Sequence, residues 1–196
     1  MPLQDFEPIE WDLPEGDIDG LLIGSSTVFR FPAPGLEKSV HLPVYAVGKT
    51  TAMMAEASGF AVAKTGSGGL QSLLDRLPQD QPLRLLRVGG EERVSLRPPA
   101  HVEISERVAY RLVDWDLSEG QAKVLREPCC VALHSASAAR NFRRNCNAFG
   151  IDLASISIVA LGPRIAESAG DGWDHIVSAQ APNDDALLAL AKPLCQ

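Results

Sequence analysis

Short apolar runs, each broken by glycine, serine or proline, recur along the 196-residue chain. The first, GLLI at 20–23, is too short for a helix and apolar throughout, as a strand buried on both faces of a parallel sheet requires. Gly24, Ser25, Ser26 and Thr27 follow and supply a turn with N-cap candidates. A loop over 31–43 leads to a second strand at 44–47, a helix at 50–58 closed by Gly59, and a third strand at 60–64 turned by Thr65-Gly66-Ser67-Gly68. Leu70, Leu73, Leu74 and Leu77 fall at i, i+3, i+4 and i+7, which predicts a helix with one apolar face. A fourth strand, 83–88, ends in Gly89-Gly90. Strand, small-residue turn and helix in repetition is the pattern of a doubly wound parallel sheet.

The pattern changes at 101–113, where Val102, Ile104, Val108, Tyr110 and Leu112 alternate with polar or small residues, the period of a half-exposed strand. A helix is expected within 114–127, and then the earlier pattern resumes. Strands are expected at 130–133, 157–161 and 175–179, with helices at 136–148, from Pro163 (a residue suited to the first helical turn), and after Asn183 as a cap. The first α/β domain is placed at 11–103. The second takes 104–196 with residues 1–10, which read as an irregular strand or connector. Its three parallel strands, against four in the first, make a thin platform for helices on both faces.

Two weak internal matches accompany this arrangement. VYAVGKTTA from Val44 is echoed by IVALGPRIA from Ile158, with Gly48 and Gly162 separated by 114 positions, and Ser25 is echoed by Ser135 at an offset of 110. Similar offsets in the same order point to duplication.

Composition narrows the possibilities. A formal net charge of -7 argues against broad electrostatic binding to nucleic acid or an anionic membrane. No apolar run approaches the ~18 residues of a membrane span and no secretory leader opens the chain, so a cytoplasmic location is expected. Cys129, Cys130, Cys146 and Cys195 form no CxxC pair, so reduced thiols are expected and no metal site. Gly48-Lys49-Thr50 resembles the end of a P-loop, but Pro43 stands where its first glycine is required. Gly66-Ser67-Gly68 begins a dinucleotide fingerprint that Gln71 breaks. His41, His101, His134 and His175 are scattered, and only His134 sits at a strand end beside a serine.

Small or hydroxyl residues recur instead where strands hand over to helices: Ser25, Gly48, Thr51, Ser67, Gly68, Ser135, Ser137 and Gly162, with Gly89 at the end of the fourth strand. Free backbone N–H groups at such helix starts hold carboxylates or phosphates without basic side chains. Ordinary helix capping accounts for any one of them taken alone.

These stretches, LLIGSSTV from Leu21, LPVYAVGKTTA from Leu42, TGSGGLQSLL from Thr65, ERVAYR from Glu106, VALHSASAARNF from Val131 and IVALGPRIA from Ile158, resemble the uroporphyrinogen-III synthases in order and spacing. The resemblance implies two flavodoxin-like parallel-sheet domains joined by a two-stranded connector, with the site in the cleft between them. It implies a cofactor-independent, monomeric enzyme, unless a second chain completes the shorter domain. The substrate would be hydroxymethylbilane, a linear tetrapyrrole with eight carboxylates, cyclised through a spiro intermediate with inversion of ring D and loss of water. Tyr110 matches the family's tyrosine of the second connector strand, assigned to assist departure of the hydroxyl; Thr51, Ser25 and Ser135 match its small hydroxyl positions. Gly24, Ala136 and the pair Arg164-Ile165 depart from positions where threonine, proline and hydroxyl residues are frequent. The family's N-terminal strand-helix-strand unit, on the order of 30 residues, has no counterpart here, which matches the strand deficit of the second domain. The alternative is a non-catalytic tetrapyrrole-binding or regulatory homologue.

Overall fold

The computed structural model describes residues 3–31 and 33–195, without the side chain of Cys195. The start of the connector at Met1 and Pro2, Pro32 of the loop at 31–43, Gln196, and the thiol expected at Cys195 therefore lie outside the described residues. Two compact units emerge, one formed by Phe6–Leu112 and the other by Met1–Asp5 with Val113–Gln196. Among the described residues no helix is long and apolar enough to cross a membrane.

The unit of Phe6–Leu112 is built on a six-stranded sheet. Its strands are β1 (Gln4–Pro8), β2 (Gly20–Ile23), β3 (Val44–Val47), β4 (Val62–Gly66), β5 (Leu83–Gly90) and β6 (Val102–Asp114), in the order β1-β6-β5-β2-β3-β4. Helices α1 (Pro34–Lys38), α2 (Lys49–Ala57) and α3 (Leu70–Leu74) join them. β2, β3, β4, β5 and β6 pair in parallel. β1 runs antiparallel along β6, since Ile9 N–H donates to Ala109 O while Trp115 N–H donates to Leu3 O. The half-exposed strand read from the alternation at 101–113 is thus the fifth parallel strand of this sheet.

Alternation sorts the sheet's side chains into two layers. Leu21, Ile23, Val44, Ala46, Leu86 and Val88 pack towards α1 and α2 with Ala52, Ala55 and Phe60. Leu22, Leu85 and Val102 pack with Leu73, Leu74 and Leu77 around α3. Proline at the first position starts α1, a five-residue helix inside the expected loop. A Cβ at Gly35 would collide with the Trp11 ring, so glycine is what lets α1 approach that indole. β4 extends through Thr65 and Gly66, which sequence reading assigned to a turn, because both pair with β3.

The second unit has the expected three strands, β7 (Cys129–Leu133), β8 (Ile156–Ala160) and β9 (His175–Ser178), parallel and in that order. Its helices are α4 (Glu119–Val124), α5 (Ala136–Ala148), α6 (Pro163–Ala169) and α7 (Asp184–Ala191). A capping box, Ser118 with Gln121, starts α4, and Asn183 caps α7 through a bond from Ala186 N–H. Apolar residues of α5 and β8 pack with Trp173, whose ring stacks on Phe142 at 5.6 Å between centroids.

A buried amide pair on α5 organises the polar backbone of this unit. Asn145 Oδ1 accepts from Leu117 N–H at 2.7 Å, and its Nδ2 donates to Asn141 Oδ1 at 2.8 Å. Asn141 Nδ2 in turn donates to Leu3 O at 2.6 Å. Both side chains are almost fully buried, so every partner lost is a desolvated group left unsatisfied. Asn145→Ala is expected to lower the stability of this unit by about 2–4 kcal/mol, whereas the exposed Asn147→Ala changes it by less than about 0.5 kcal/mol. Urea unfolding followed by Trp173 fluorescence measures both.

Candidate functional site

The carboxyl ends of the parallel strands carry the small and hydroxyl residues picked out in the sequence, and each unit holds its own group. In the larger unit, Ser25 caps the 3-10 helix Ser26–Arg30, its Oγ accepting from Thr27 N–H at 3.3 Å and donating to Thr27 Oγ1 at 3.0 Å. Gly48 follows β3 with φ +79°, a left-handed conformation that admits glycine readily, and its N–H donates to Gly66 O. The first intrahelical bond of α2 runs from Ala52 N–H to Gly48 O, leaving the N–H groups of Lys49, Thr50 and Thr51 as the helix's opening donors. Thr51 is itself buried, 5% exposed, on the side of α2 that meets the sheet, while Thr50 faces outward.

Tyr110 lies near the end of β6, half-buried in the layer shared with α2. Phe6 meets its ring edge-on at 5.3 Å and Phe31 lies at 6.3 Å. The register of β5 against β6 shifts between Gly89 and Gly90, from Gly89 opposite Val108 to Gly90 opposite Tyr110. A Cβ at Gly90 would come within 2.7 Å of the tyrosine ring, so the bulge and the missing side chain together seat that ring.

Three charged side chains missed in the sequence brace this bulge. Arg87, 5% exposed, donates through Nη1 to Glu106 Oε1 at 3.0 Å, from the neighbouring strand and in register with it. Arg93 pairs with the other carboxylate oxygen at 2.8 Å and donates to Gly90 O at 3.2 Å. Burial pushes the Glu106 carboxyl up, but hydrogen bonds from Arg93 and Arg87 and their charges outweigh it and hold the group below its ordinary value. A charge inside the apolar run LRLLRVGG was the available signal, since a buried guanidinium demands an anion on an adjacent strand.

Gly68 belongs to the opposite, α3 side of the sheet, where with Gly69, Arg87 and Arg97 it lines a cleft of about 670 Å³. Tyr110 packs in the α2 layer. Ser67 is exposed between β4 and α3, and Gly89 is half-buried beside Val108. Gln71, the residue that breaks the dinucleotide fingerprint, clamps the connection from β5 to β6: its Oε1 accepts from Arg97 N–H at 2.8 Å and its Nε2 donates to Arg97 O at 2.9 Å.

In the smaller unit, Ser135 caps α5, its Oγ accepting from Ala138 N–H at 3.1 Å and lying 3.2 Å from Ser137 Oγ. Ser137 donates to Gln4 Oε1 at 3.3 Å. Gly162 opens α6 with extended backbone and Pro163 at the first position, and the space where its Cβ would stand is open. His134 reaches Asp184 at 3.1 Å in an exposed pair. Among the described residues, no cluster of three or more His, Cys, Asp or Glu is placed to hold a metal ion.

Parallel sheets flanked by helices, with glycine and hydroxyl residues at the strands' carboxyl ends, define a two-unit α/β protein of the kind that binds ligands at those ends. The chain belongs to the uroporphyrinogen-III synthase family: the family model described as uroporphyrinogen-III synthase HemD matches residues 1–189. Its fold is that of the solved uroporphyrinogen-III synthetase from Helicobacter pylori 26695, at a TM-score of 0.72 and 19% identity, covering 98% of this chain and 91% of that one. The Thermus thermophilus uroporphyrinogen III synthase is also similar, with a TM-score of 0.43 and 16% identity over 91% of this chain and 79% of that one. No curated protein matches in sequence.

The bracing carboxylate has a pH signature. Because the folded Glu106 carboxyl titrates below its ordinary value, its contribution to stability is full above the ordinary carboxylate range and is lost as pH falls through the folded value. Glu106→Gln is therefore expected to destabilise the protein at pH 7, with the gap to the parent closing as the medium is acidified. Thermal unfolding of both proteins across acidic to neutral pH checks the sign.

Proposed function

We propose that this protein cyclises hydroxymethylbilane to uroporphyrinogen III, inverting ring D and releasing water, as a monomeric cytoplasmic enzyme of tetrapyrrole synthesis. The observation that carries the reading is the family match over residues 1–189. The local chemistry supports it. A substrate with eight carboxylates suits helix starts that offer backbone N–H groups, and a substrate that loses its own hydroxyl needs oriented donors more than a strong nucleophile.

In this reading Tyr110 donates its phenolic proton to the departing hydroxyl, and the aromatic contacts with Phe6 and Phe31 fix the angle at which it does so. The starts of α2 and α5, with Ser25, Gly48, Thr51, Ser135 and Ser137, receive carboxylate arms, and Ser67, Gly89 and Gly162 contribute backbone approach. Arg93 and Glu106 hold the Gly90 bulge behind the tyrosine and act through it.

Incubation with enzymatically generated hydroxymethylbilane, followed by separation of the oxidised porphyrin isomers, tests the reading. The type III isomer is expected to dominate; type I alone, at the level formed without protein, would overturn it. Tyr110→Phe is expected to lower kcat by about 10²-fold or more with little change in KM, the size typical of a positioned proton donor.

A further inference from the structure

Another cleft, of about 700 Å³, opens at the opposite end of the larger sheet, where β2, β5 and β6 begin. It lies the length of β5, Leu83 to Gly90 or ~20 Å, from the glycine and hydroxyl residues at the strands' carboxyl ends. Parallel strands are ordinarily covered by the helices that cross between them, but β5 and β6 are joined by extended chain. Leu83 and Ile104 are therefore left half-buried at the margin of the core around α3, and with Val102 they form an apolar floor that Pro82 and Pro98 flank. The returning chain makes one wall: Val102 N–H donates to Pro99 O and Leu83 N–H donates to His101 O, both at 2.9 Å, which seats His101 beside the floor. Its Nε2 is closed off from solvent and has no hydrogen-bond partner among the described residues. The other wall is charged. Asp19 N–H donates to Arg84 O at 2.8 Å, Arg84 N–H donates to Asp19 Oδ2 at 2.7 Å, and the Arg84 guanidinium pairs with Asp17 at 3.2 Å and Asp19 at 3.8 Å. Glu103 stands exposed in register with Arg84, and its carboxylate has no partner among the described residues.

We propose that this cleft binds a small organic cation, a primary ammonium carried on an apolar body the size of one or two rings. Its volume lies within the range of small-molecule pockets, and its lining has their usual form, an apolar floor with a few polar groups at the margin. The sign of the charge follows from the pairing. Asp17, Asp19 and Glu103 surround one guanidinium, so the excess is negative and an anion is repelled. Arg84 is taken up by Asp17 and Asp19, which leaves Glu103 to accept from an ammonium N–H. His101 adds an unmet demand, since a nitrogen buried without a partner destabilises the empty site. The imidazole is only half-buried, and its torsion about the Cβ–Cγ bond is broad, so an arriving N–H donor favours turning Nε2 from the wall into the cleft. The site shares no residue with the surroundings of Tyr110 and is independent of the cyclisation reading.

Calorimetric titration of the full chain with 1-naphthylmethylamine at pH 7 tests the site, with 1-naphthalenemethanol as the neutral analogue and 1-naphthoate as the anionic one. One-to-one binding of the amine is expected, with the alcohol weaker by about tenfold, the value of one charge-assisted hydrogen bond, and the acid weaker still. Glu103→Gln keeps the size of an exposed side chain and removes its charge, so it is expected to weaken the amine by about tenfold and the alcohol by less than about twofold. His101→Phe keeps a ring in the wall without the nitrogen. It is expected to weaken the amine by about fivefold while leaving the thermal midpoint of the unliganded protein unchanged or raised, because no unpaired nitrogen is then buried. No binding of the amine, affinity for the alcohol or the acid equal to that for the amine, or equal amine affinity in the parent and either variant overturns the proposal, whichever porphyrin isomer the protein makes.

Discussion

The hydrogen-bonding demand of β6 governs the larger unit. Thirteen residues of extended chain present two rows of backbone donors and acceptors, and each row must be met where water is excluded. β5 meets one row in parallel and β1 the other in antiparallel sense. The boundary between the compact units falls within these same two strands, after Asp5 and after Leu112. A parallel neighbour for β5 fixes Arg87 opposite Glu106, and the one-residue slip beyond that pair brings Tyr110 opposite Gly90. The tyrosine's position and the charge in the α3-side cleft thus follow from one strand pairing.

Burying Arg87 is costly unless it is paired, and pairing within the sheet is available only because Glu106 stands in register beside it. The carboxylate then draws in Arg93, which reaches the carbonyl of Gly90. An extended crossover has no internal backbone bonds of its own, unlike a helix, so residues 91–101 lean on side chains: Gln71 on one flank and Arg93 on the other. In the smaller unit Asn141 and Asn145 perform the same service for the irregular stretch at 115–117. Each unit therefore commits polar side chains where its backbone departs from helix or sheet.

Local order in the sequence carried most of the fold. The helix at 136–148 has the bounds of α5, and all the expected parallel strands are present, three of them in the smaller unit. What escaped was non-local. The alternation of β6 gives a half-exposed strand, which it is, but not which strand lies beside it, so its parallel pairing with β5 was not foreseen. Arg87 and Glu106 are far apart in sequence terms for any periodicity to connect, and Gln71 looked like a defect in a glycine motif before its two bonds to Arg97 were visible. The hydroxyl residues were legible as helix starts; whether a hydroxyl is exposed depends on helix rotation, which buries Thr51 and leaves Thr50 outside.

That distinction bears on how carboxylates could be held. Ser25 and Ser135 already use their Oγ atoms on Thr27 N–H and Ala138 N–H, and Ser137 is engaged with Gln4. Hydroxyls committed to the chain have less to offer a ligand than the backbone amides they orient. Capping a helix fixes its first turn, and a fixed first turn keeps its remaining N–H groups aimed outward. Gly24 and Ala136 bring neither a hydroxyl nor a ring to such starts, and the backbone amides there are present all the same.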